Sequence, residues 1–132
     1  MDINYLRAIS REMHEELQQR KSTFAKLIAN NKMSRDDANH RFICLEEAKK
    51  LIEASINDGQ TKVALSKSLE EIGSELLTEV KFRKLVYRGM VYKNMMTLTE
   101  MERKIGYFQF AHTLIAPPTV KPDDDKSQLN LF

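Results

Sequence analysis

Apolar residues recur every three or four positions along most of the chain, which is the spacing of one face of an α-helix. One stripe consists of Leu6, Ile9, Met13, Leu17, Phe24 and Leu27, and another of Leu69, Ile72, Leu76, Val80, Tyr87 and Met90. A shorter stripe follows each, at Ala38, Phe42, Leu45 and Ile52 and at Met101, Ile105, Phe108 and Ile115. The pattern predicts four helices in two long–short pairs.

The chain also aligns with itself, without a gap, when it is shifted by 63 positions. Charged and apolar positions match together, as in the identical pairs Glu12/Glu75, Glu16/Glu79, Arg20/Arg83, Met33/Met96 and Ile52/Ile115. We interpret this as a duplicated helical hairpin, with copies at about 1–57 and 61–116. The expected fold is all-α: an antiparallel four-helix bundle with pseudo-two-fold symmetry.

Local signals predict where the helices begin and end. Asn31 and Asn94 tolerate the left-handed conformation that stops a helix, so the long helices should end near them. Ser34-x-x-Asp37 and Thr97-x-x-Glu100 resemble capping boxes that would begin the short helices. Asp58-Gly59 should separate the two hairpins.

Beyond Ala116 the composition changes. Pro117-Pro118 should end the last helix, and Pro117–Pro122 cannot be a helix interior. The acidic run Asp123–Asp125 follows these prolines, and the combination predicts an extended linker. Residues 117–132 are therefore expected to form a flexible linker and tail outside the bundle.

The last five residues of the sequence are Gln128-Leu129-Asn130-Leu131-Phe132. They resemble the peptide by which translesion DNA polymerases, mismatch-repair proteins and replicase subunits bind the bacterial sliding clamp, usually Gln-Leu-(Ser or Asp)-Leu-Phe. The resemblance implies that Leu131 and Phe132 enter the main hydrophobic pocket of the clamp. Leu129 would fill a side depression, Gln128 would hydrogen-bond at the rim, and Asn130 stands at the tolerant third position.

The body of the chain carries a second, less specific resemblance. Its repeated unit is Arg-x-x-x-(Phe or Tyr) followed by Met-(Ser or Thr)-x-x-(Asp or Glu), and it resembles small uncharacterised helical proteins encoded by bacteriophages. That likeness implies no activity. Together the resemblances predict a non-enzymatic accessory or regulator of bacterial or phage DNA replication or repair, tethered to the clamp. The alternative is a nucleic-acid-binding helical module with an incidental apolar tail.

Other candidate sites are weaker. His40 and Cys44 are four apart on a predicted helix and could share a metal, but the equivalent positions of the second copy are Arg103 and Tyr107, so neither a metal nor another cofactor is expected. Glu12 and Glu16 could serve acid–base chemistry, although a ladder of ion pairs spaced i,i+4 explains them equally well. The equivalent arginines Arg20 and Arg83 fall within the apolar stripes, where we expect them to pair structurally near the bundle axis.

A stretch that mixes basic and aromatic residues gives a candidate DNA contact at Lys81, Lys84 and Arg88. The net charge of +2 is too small to argue for nucleic-acid binding by itself. A solvated helix face is the simpler interpretation of these three residues.

The differences between the two copies suggest self-association. The second hairpin gains apolar residues away from its stripe, and it replaces Lys26 and Ile43 with glycine, which costs about 1 kcal/mol in a helix interior. Such a surface usually marks an interface, and a symmetric dimer is the simplest use of it. The candidate residues are Phe82, Leu85, Val86, Gly89, Tyr92, Tyr107 and Phe110. Packing against the first hairpin or the returning tail is the alternative.

Composition and cysteine content indicate the number of domains and the cellular compartment. Hydrophobic residues make up 42% and charged residues 30% of the 132-residue chain, which is typical of one globular domain. The single cysteine, Cys44, excludes an internal disulfide and suits a reducing compartment. The N-terminus lacks the features of a signal peptide, and no apolar run approaches the ~18 residues of a membrane span. The expected location is the cytoplasm.

Overall fold

A computed structural model describes residues 2–57 and 62–116. These residues form the helices α1 (Ile3–Ala29), α2 (Arg35–Ile56), α3 (Leu69–Tyr92) and α4 (Leu98–Ile115), and they contain no strand. The expected all-α class and the two long–short helix pairs are confirmed. The predicted separator Asp58-Gly59 and the predicted linker and tail, 117–132, lie outside the described residues.

Each helix begins at a side-chain cap. The hydroxyls of Ser34 and Thr97 accept hydrogen bonds from the backbone N–H three residues later, as predicted, at 3.0 and 3.1 Å. The reciprocal half of a capping box is recorded only at α3, where the Glu71 carboxylate accepts from the N–H of Ser68. The side-chain half of each predicted capping box of the short helices is therefore present. The complete box at Ser68-x-x-Glu71 was missed because the first copy has Tyr5 at the position equivalent to Ser68, so the repeat does not mark it.

Asn31 and Asn94 end the long helices as predicted, with φ of 58° and 59°. In each hairpin two backbone hydrogen bonds close the helix end. In one of them the N–H of Asn31 donates to the carbonyl of Ile28, or that of Asn94 to Val91. The N–H of Lys32 donates to the carbonyl of Leu27 at 2.8 Å, and that of Met95 donates to Met90 at the same distance. This is the Schellman arrangement, in which a left-handed residue satisfies the last carbonyls of a helix.

The four helices close into a bundle. Helix α1 packs along α2 and α3 along α4, while α2 against α3 and α1 against α4 join the two hairpins. The core is the set of buried apolar residues from all four helices: Leu6, Ile9, Met13, Leu17, Leu45, Ala48, Ile52, Ile72, Leu76, Val80, Ile105, Tyr107, Phe108, Ala111 and Ile115. Side chains of both sequence repeats therefore share one apolar interior.

The hairpins correspond element by element. Helices α1 and α3 end, and α2 and α4 begin, at positions that are 63 apart. Their starts differ, because α1 begins at Ile3 and so has one more turn than α3. Tyr5 on that extra turn packs 5.4 Å from the ring of Tyr107 and edge-on to Phe110 at 5.3 Å.

The position on α2 that is equivalent to Phe110 of α4 is polar. There the carboxylate of Glu47, which corresponds to Phe110, accepts hydrogen bonds from the N–H and hydroxyl of Ser66 and from the N–H of Lys67. Burial alone would raise the pKa of Glu47, but these hydrogen bonds lower it below its ordinary value. The segment that precedes α3 is thus hydrogen-bonded to α2 through Glu47.

No helix within residues 2–57 and 62–116 is long and apolar enough to cross a membrane.

Candidate functional site

A network of buried ion pairs crosses the bundle next to its apolar core. Arg20 of α1 is only 2% exposed. Its Nη2 donates to Glu75 at 2.7 Å and to Glu79 at 2.9 Å, both on α3, while its Nε donates to Glu16 on its own helix at 3.1 Å. Nη1 donates to the backbone carbonyl of Arg41 on α2. One guanidinium therefore connects three helices.

Arg83 of α3 makes the equivalent bonds in the opposite direction, and it too is 2% exposed. Its Nη1 donates to Glu12 at 2.8 Å, its Nη2 to Glu16 at 3.2 Å and its Nε to Glu79 at 2.7 Å. Nη1 also donates to the carbonyl of Lys104 on α4, which corresponds to Arg41. The network thus repeats the 63-residue symmetry of the sequence, bond for bond.

Two partly exposed cations complete the network. Arg41 binds Glu75 at 2.9 Å, and Lys104 binds Glu12 at 3.0 Å. The four carboxylates Glu12, Glu16, Glu75 and Glu79 are thereby matched by four cations, Arg20, Arg41, Arg83 and Lys104. The sequence did not reveal Arg41 and Lys104, because a different residue type occupies the same position in each copy.

Burial shapes the ionisation of the network. Desolvation alone would lower the pKa of Arg83, but the adjacent carboxylate of Glu79 raises it, and Glu75 does the same for Arg20. The pKa of Glu16 is raised, first by burial and then by the nearby charge of Glu79. Both guanidinium groups stay charged, and Glu16 takes up a proton more readily than an ordinary glutamate does.

This arrangement confirms that Arg20 and Arg83 pair structurally near the bundle axis. The predicted i,i+4 pairs Glu16–Arg20 and Glu79–Arg83 are present. Glu12 and Glu75 instead bind cations of the other hairpin, so the ladder interpretation was wrong for these two residues. Each of the four carboxylates accepts hydrogen bonds from an Arg or Lys side chain. The network therefore joins the two hairpins through buried, charge-assisted hydrogen bonds.

A cleft of about 440 Å³ lies above the network, at the end of the bundle where the hairpins turn. The network residues Glu16, Arg20, Glu79 and Arg83 form part of its lining. Most of the remaining lining is apolar. It contains residues at equivalent positions of the two hairpins: Phe24 and Tyr87, Leu27 and Met90, and Thr23 and Val86. The cleft therefore lies on the pseudo-two-fold axis.

The structure brings His40 and Cys44 together, with Nε2 and Sγ 3.6 Å apart. Burial raises the pKa of the Cys44 thiol to about 11, and a thiol must lose its proton to bind a metal. Among the described residues, no group of three or more His, Cys, Asp or Glu side chains has the arrangement of a metal site.

The candidate self-association surface is smaller than the sequence indicates. Tyr107 is 7% exposed and belongs to the core, and Phe110 is partly buried against Tyr5. The extra first turn of α1 packs against both rings, so the inclusion of the buried Tyr107 was wrong, whereas Phe110 keeps part of its surface exposed. Gly106 is half-buried, and a Cβ there would lie 3.8 Å from the hydroxyl of Tyr5, at ordinary contact distance.

The part of that surface on α3 is exposed. Phe82 is 58%, Leu85 72%, Val86 37% and Tyr92 88% exposed. A Cβ added to Gly89 would meet no atom within 4 Å. We call these five residues the α3 apolar face. Its counterpart on α1 is Gln19, Ser22, Thr23, Lys26 and Ala29, which is mostly polar.

The candidate DNA-contact residues lie beside this face. Lys81, Lys84 and Arg88 are exposed and three to four residues apart, so they form a basic margin along α3. Between Glu79 and Glu100 the sequence has no acidic residue. The α3 apolar face is thus bordered by positive charge that no acidic side chain of the same stretch offsets.

Comparison with known proteins gives no relative: no family model, no curated protein and no solved structure matches the chain significantly. The candidate clamp-binding residues Gln128, Leu129, Asn130, Leu131 and Phe132 lie outside the described residues.

Proposed function

We propose that the protein binds the bacterial DNA sliding clamp through residues 128–132 and acts as an accessory or regulator of DNA replication or repair. The observation that carries the proposal is the sequence Gln128-Leu129-Asn130-Leu131-Phe132, which has the expected residue at four fixed positions and a small polar residue at the tolerant one. The proposal places the protein in the cytoplasm, where it would meet the clamp.

The chemistry of the segment suits a short peptide that binds a preformed pocket. Burying a Leu or a Phe contributes about 1.5–3 kcal/mol, so Leu129, Leu131 and Phe132 supply most of the roughly −8 kcal/mol of a micromolar complex. Gln128 adds a directional hydrogen bond that sets the register. The expected complex is specific and reversible.

The bundle gives the segment a folded body, and two roles follow. In the first, the bundle holds a further partner and the segment brings that partner to the clamp. In the second, the protein occupies the clamp pocket and excludes polymerases that bind there with the same kind of peptide. The cleft on the pseudo-two-fold axis favours the first role, because it offers a partly apolar binding space outside the segment.

A retention experiment tests the proposal. The full chain is immobilised, purified bacterial sliding clamp is passed over it, and a free peptide of residues 128–132 is then added. We expect the clamp to be retained and then displaced by the peptide. The matched pair of variants is Phe132→Ala, which should abolish retention, and Asn130→Asp, which should preserve it. Equal retention by both variants would contradict the proposal.

The basic margin of α3 supports a second candidate function, nucleic-acid binding. Lys81, Lys84 and Arg88 are exposed together and lie next to the exposed rings of Phe82 and Tyr92, a combination that suits phosphates and unstacked bases. Affinity for single-stranded DNA would then fall steeply between 50 and 200 mM salt, on the pattern of phosphate contacts. Clamp binding through an apolar peptide should change far less over the same range.

A further inference from the structure

The α3 apolar face places four exposed large hydrophobic side chains, those of Phe82, Leu85, Val86 and Tyr92, on one helix. The five residues form a continuous strip, because each has another member three or four positions away: Phe82, Leu85, Val86, Gly89 and Tyr92. Phe82 and Val86 also line the cleft, which makes the strip continuous with it. Exposed apolar strips of this kind usually mark a binding surface.

The charges around the strip indicate the kind of partner. Lys81, Lys84 and Arg88 border it, and no acidic residue occurs between Glu79 and Glu100. In a symmetric pair of two copies, these basic margins would face one another without a compensating carboxylate, and like charges in contact are unfavourable. The surface instead suits a segment that combines acidic and apolar residues.

This chain contains such a segment. Asp123–Asp125 supplies three negative charges, of which the following Lys126 offsets one, and three large apolar side chains come a few residues later, at Leu129, Leu131 and Phe132. The order and spacing match a surface with a basic margin beside an apolar strip.

The geometry of the chain allows the segment to reach the surface. Ala116, the last described residue, lies against α3, because a Cβ on Gly73 would be only 3.0 Å from the Cβ of Ala116. From Gly73, Leu85 is about 18 Å and Tyr92 about 28 Å further along the helix at 1.5 Å per residue. Residues 117–128 can span roughly 40 Å when extended.

We propose that residues 123–132 dock on the α3 apolar face of the same molecule, with Asp123–Asp125 against the basic margin and Leu129, Leu131 and Phe132 on the strip. This deepens the proposed function and rests on it for its consequence: the docked segment is withheld from the clamp. The apparent affinity for the clamp is then reduced by the fraction of molecules whose segment is free.

The docking itself is tested without the clamp. Amide spectra of the full ¹⁵N-labelled chain are compared with those of Leu131→Ala/Phe132→Ala at two protein concentrations tenfold apart. We expect differences at residues 81–93 that are the same at both concentrations. Differences that grow with concentration would assign the face to a second copy and overturn the proposal. Spectra without differences in α3 would also overturn it.

The consequence is tested with matched variants. Leu85→Ser/Tyr92→Ala gives α3 the residues that α1 has at positions 22 and 29, so the bundle should tolerate it. We expect it to bind the clamp about threefold or more tightly than the unchanged chain. Lys84→Glu should have the same effect, and Lys21→Glu, its equivalent on α1, should have none.

The two proposals fail in different ways. A chain that docks its segment by the spectra but never binds the clamp would refute the proposed function and leave the docking in place. If Leu85→Ser/Tyr92→Ala and Lys84→Glu bind the clamp with the same affinity as the unchanged chain, and the spectra lack the α3 differences, the docking is refuted and the function stays in place.

Discussion

Arg20 and Arg83 bind opposite oxygens of a single carboxylate, that of Glu79: Arg20 Nη2 lies 2.9 Å from Oε1, and Arg83 Nε lies 2.7 Å from Oε2. The two arginines occupy equivalent positions of the two hairpins. Glu79 therefore joins the halves of the bundle at one point, and each arginine adds a bond to a glutamate of the other hairpin. In the observed pairing, each of these charges therefore has a partner of opposite sign.

The first prediction follows from the burial of this network. Arg20→Met and Arg83→Met should each lower the free energy of unfolding by about 3–5 kcal/mol, because each leaves four carboxylates with three cations and so one negative charge uncompensated in the interior. The equivalent environments of the two residues predict similar losses. Urea denaturation at pH 7 measures them, with the exposed neighbour Lys21→Met as the control. A loss below about 1 kcal/mol for either arginine would show that the network is not closed to water.

A second prediction concerns the ends of the long helices. Asn31 has a φ of 58°, whereas the adjacent Asn30 has an ordinary φ of −93°. Asn31→Ala should lower the free energy of unfolding by about 1 kcal/mol, because Ala lacks the short polar side chain that lets Asn adopt the left-handed region, and Asn31→Gly should cost nothing. Asn30→Ala is the matched control. Chemical denaturation that gave equal losses for Asn30→Ala and Asn31→Ala would contradict this account of the turn.

The fold was largely predictable because its signals are local and occur twice. Apolar spacing, Asn31 and Asn94 each act within a few residues, and the repeat makes a chance pattern improbable. The partners of Glu12 and Glu75 were not predictable, since ion pairs across the bundle depend on which helices become neighbours. Tyr107 was misjudged for the same reason: the ring that covers it belongs to a residue about a hundred positions away.

A third prediction concerns the hydrogen bonds that the Glu47 carboxylate of α2 accepts from Ser66 and Lys67, just before α3. The pKa of Glu47 is lowered in the folded chain, so its carboxylate stabilises the fold above the unfolded pKa of 4.5. That contribution is lost as the pH falls through the lower folded value. Glu47→Gln should therefore be less stable than the unchanged chain at pH 7, with a difference that shrinks below pH 4.5.

The measurement for Glu47 is the free energy of unfolding by urea between about pH 7 and pH 3. Glu46→Gln, at the exposed adjacent position, serves as the control and should follow the unchanged chain. A difference between Glu47→Gln and the unchanged chain that stayed constant or widened as the pH fell would refute the assignment.

The most direct test of the central claim is a calorimetric titration of purified bacterial sliding clamp with the full chain and with Leu131→Ala/Phe132→Ala. The account predicts saturable binding in the micromolar range, about −8 kcal/mol, for the unchanged chain. It predicts no measurable heat of binding for the double variant, whose bundle should unfold at the same urea concentration as that of the unchanged chain. Equal affinity of the two chains, or no binding by either, would contradict the claim that residues 128–132 attach this protein to the clamp.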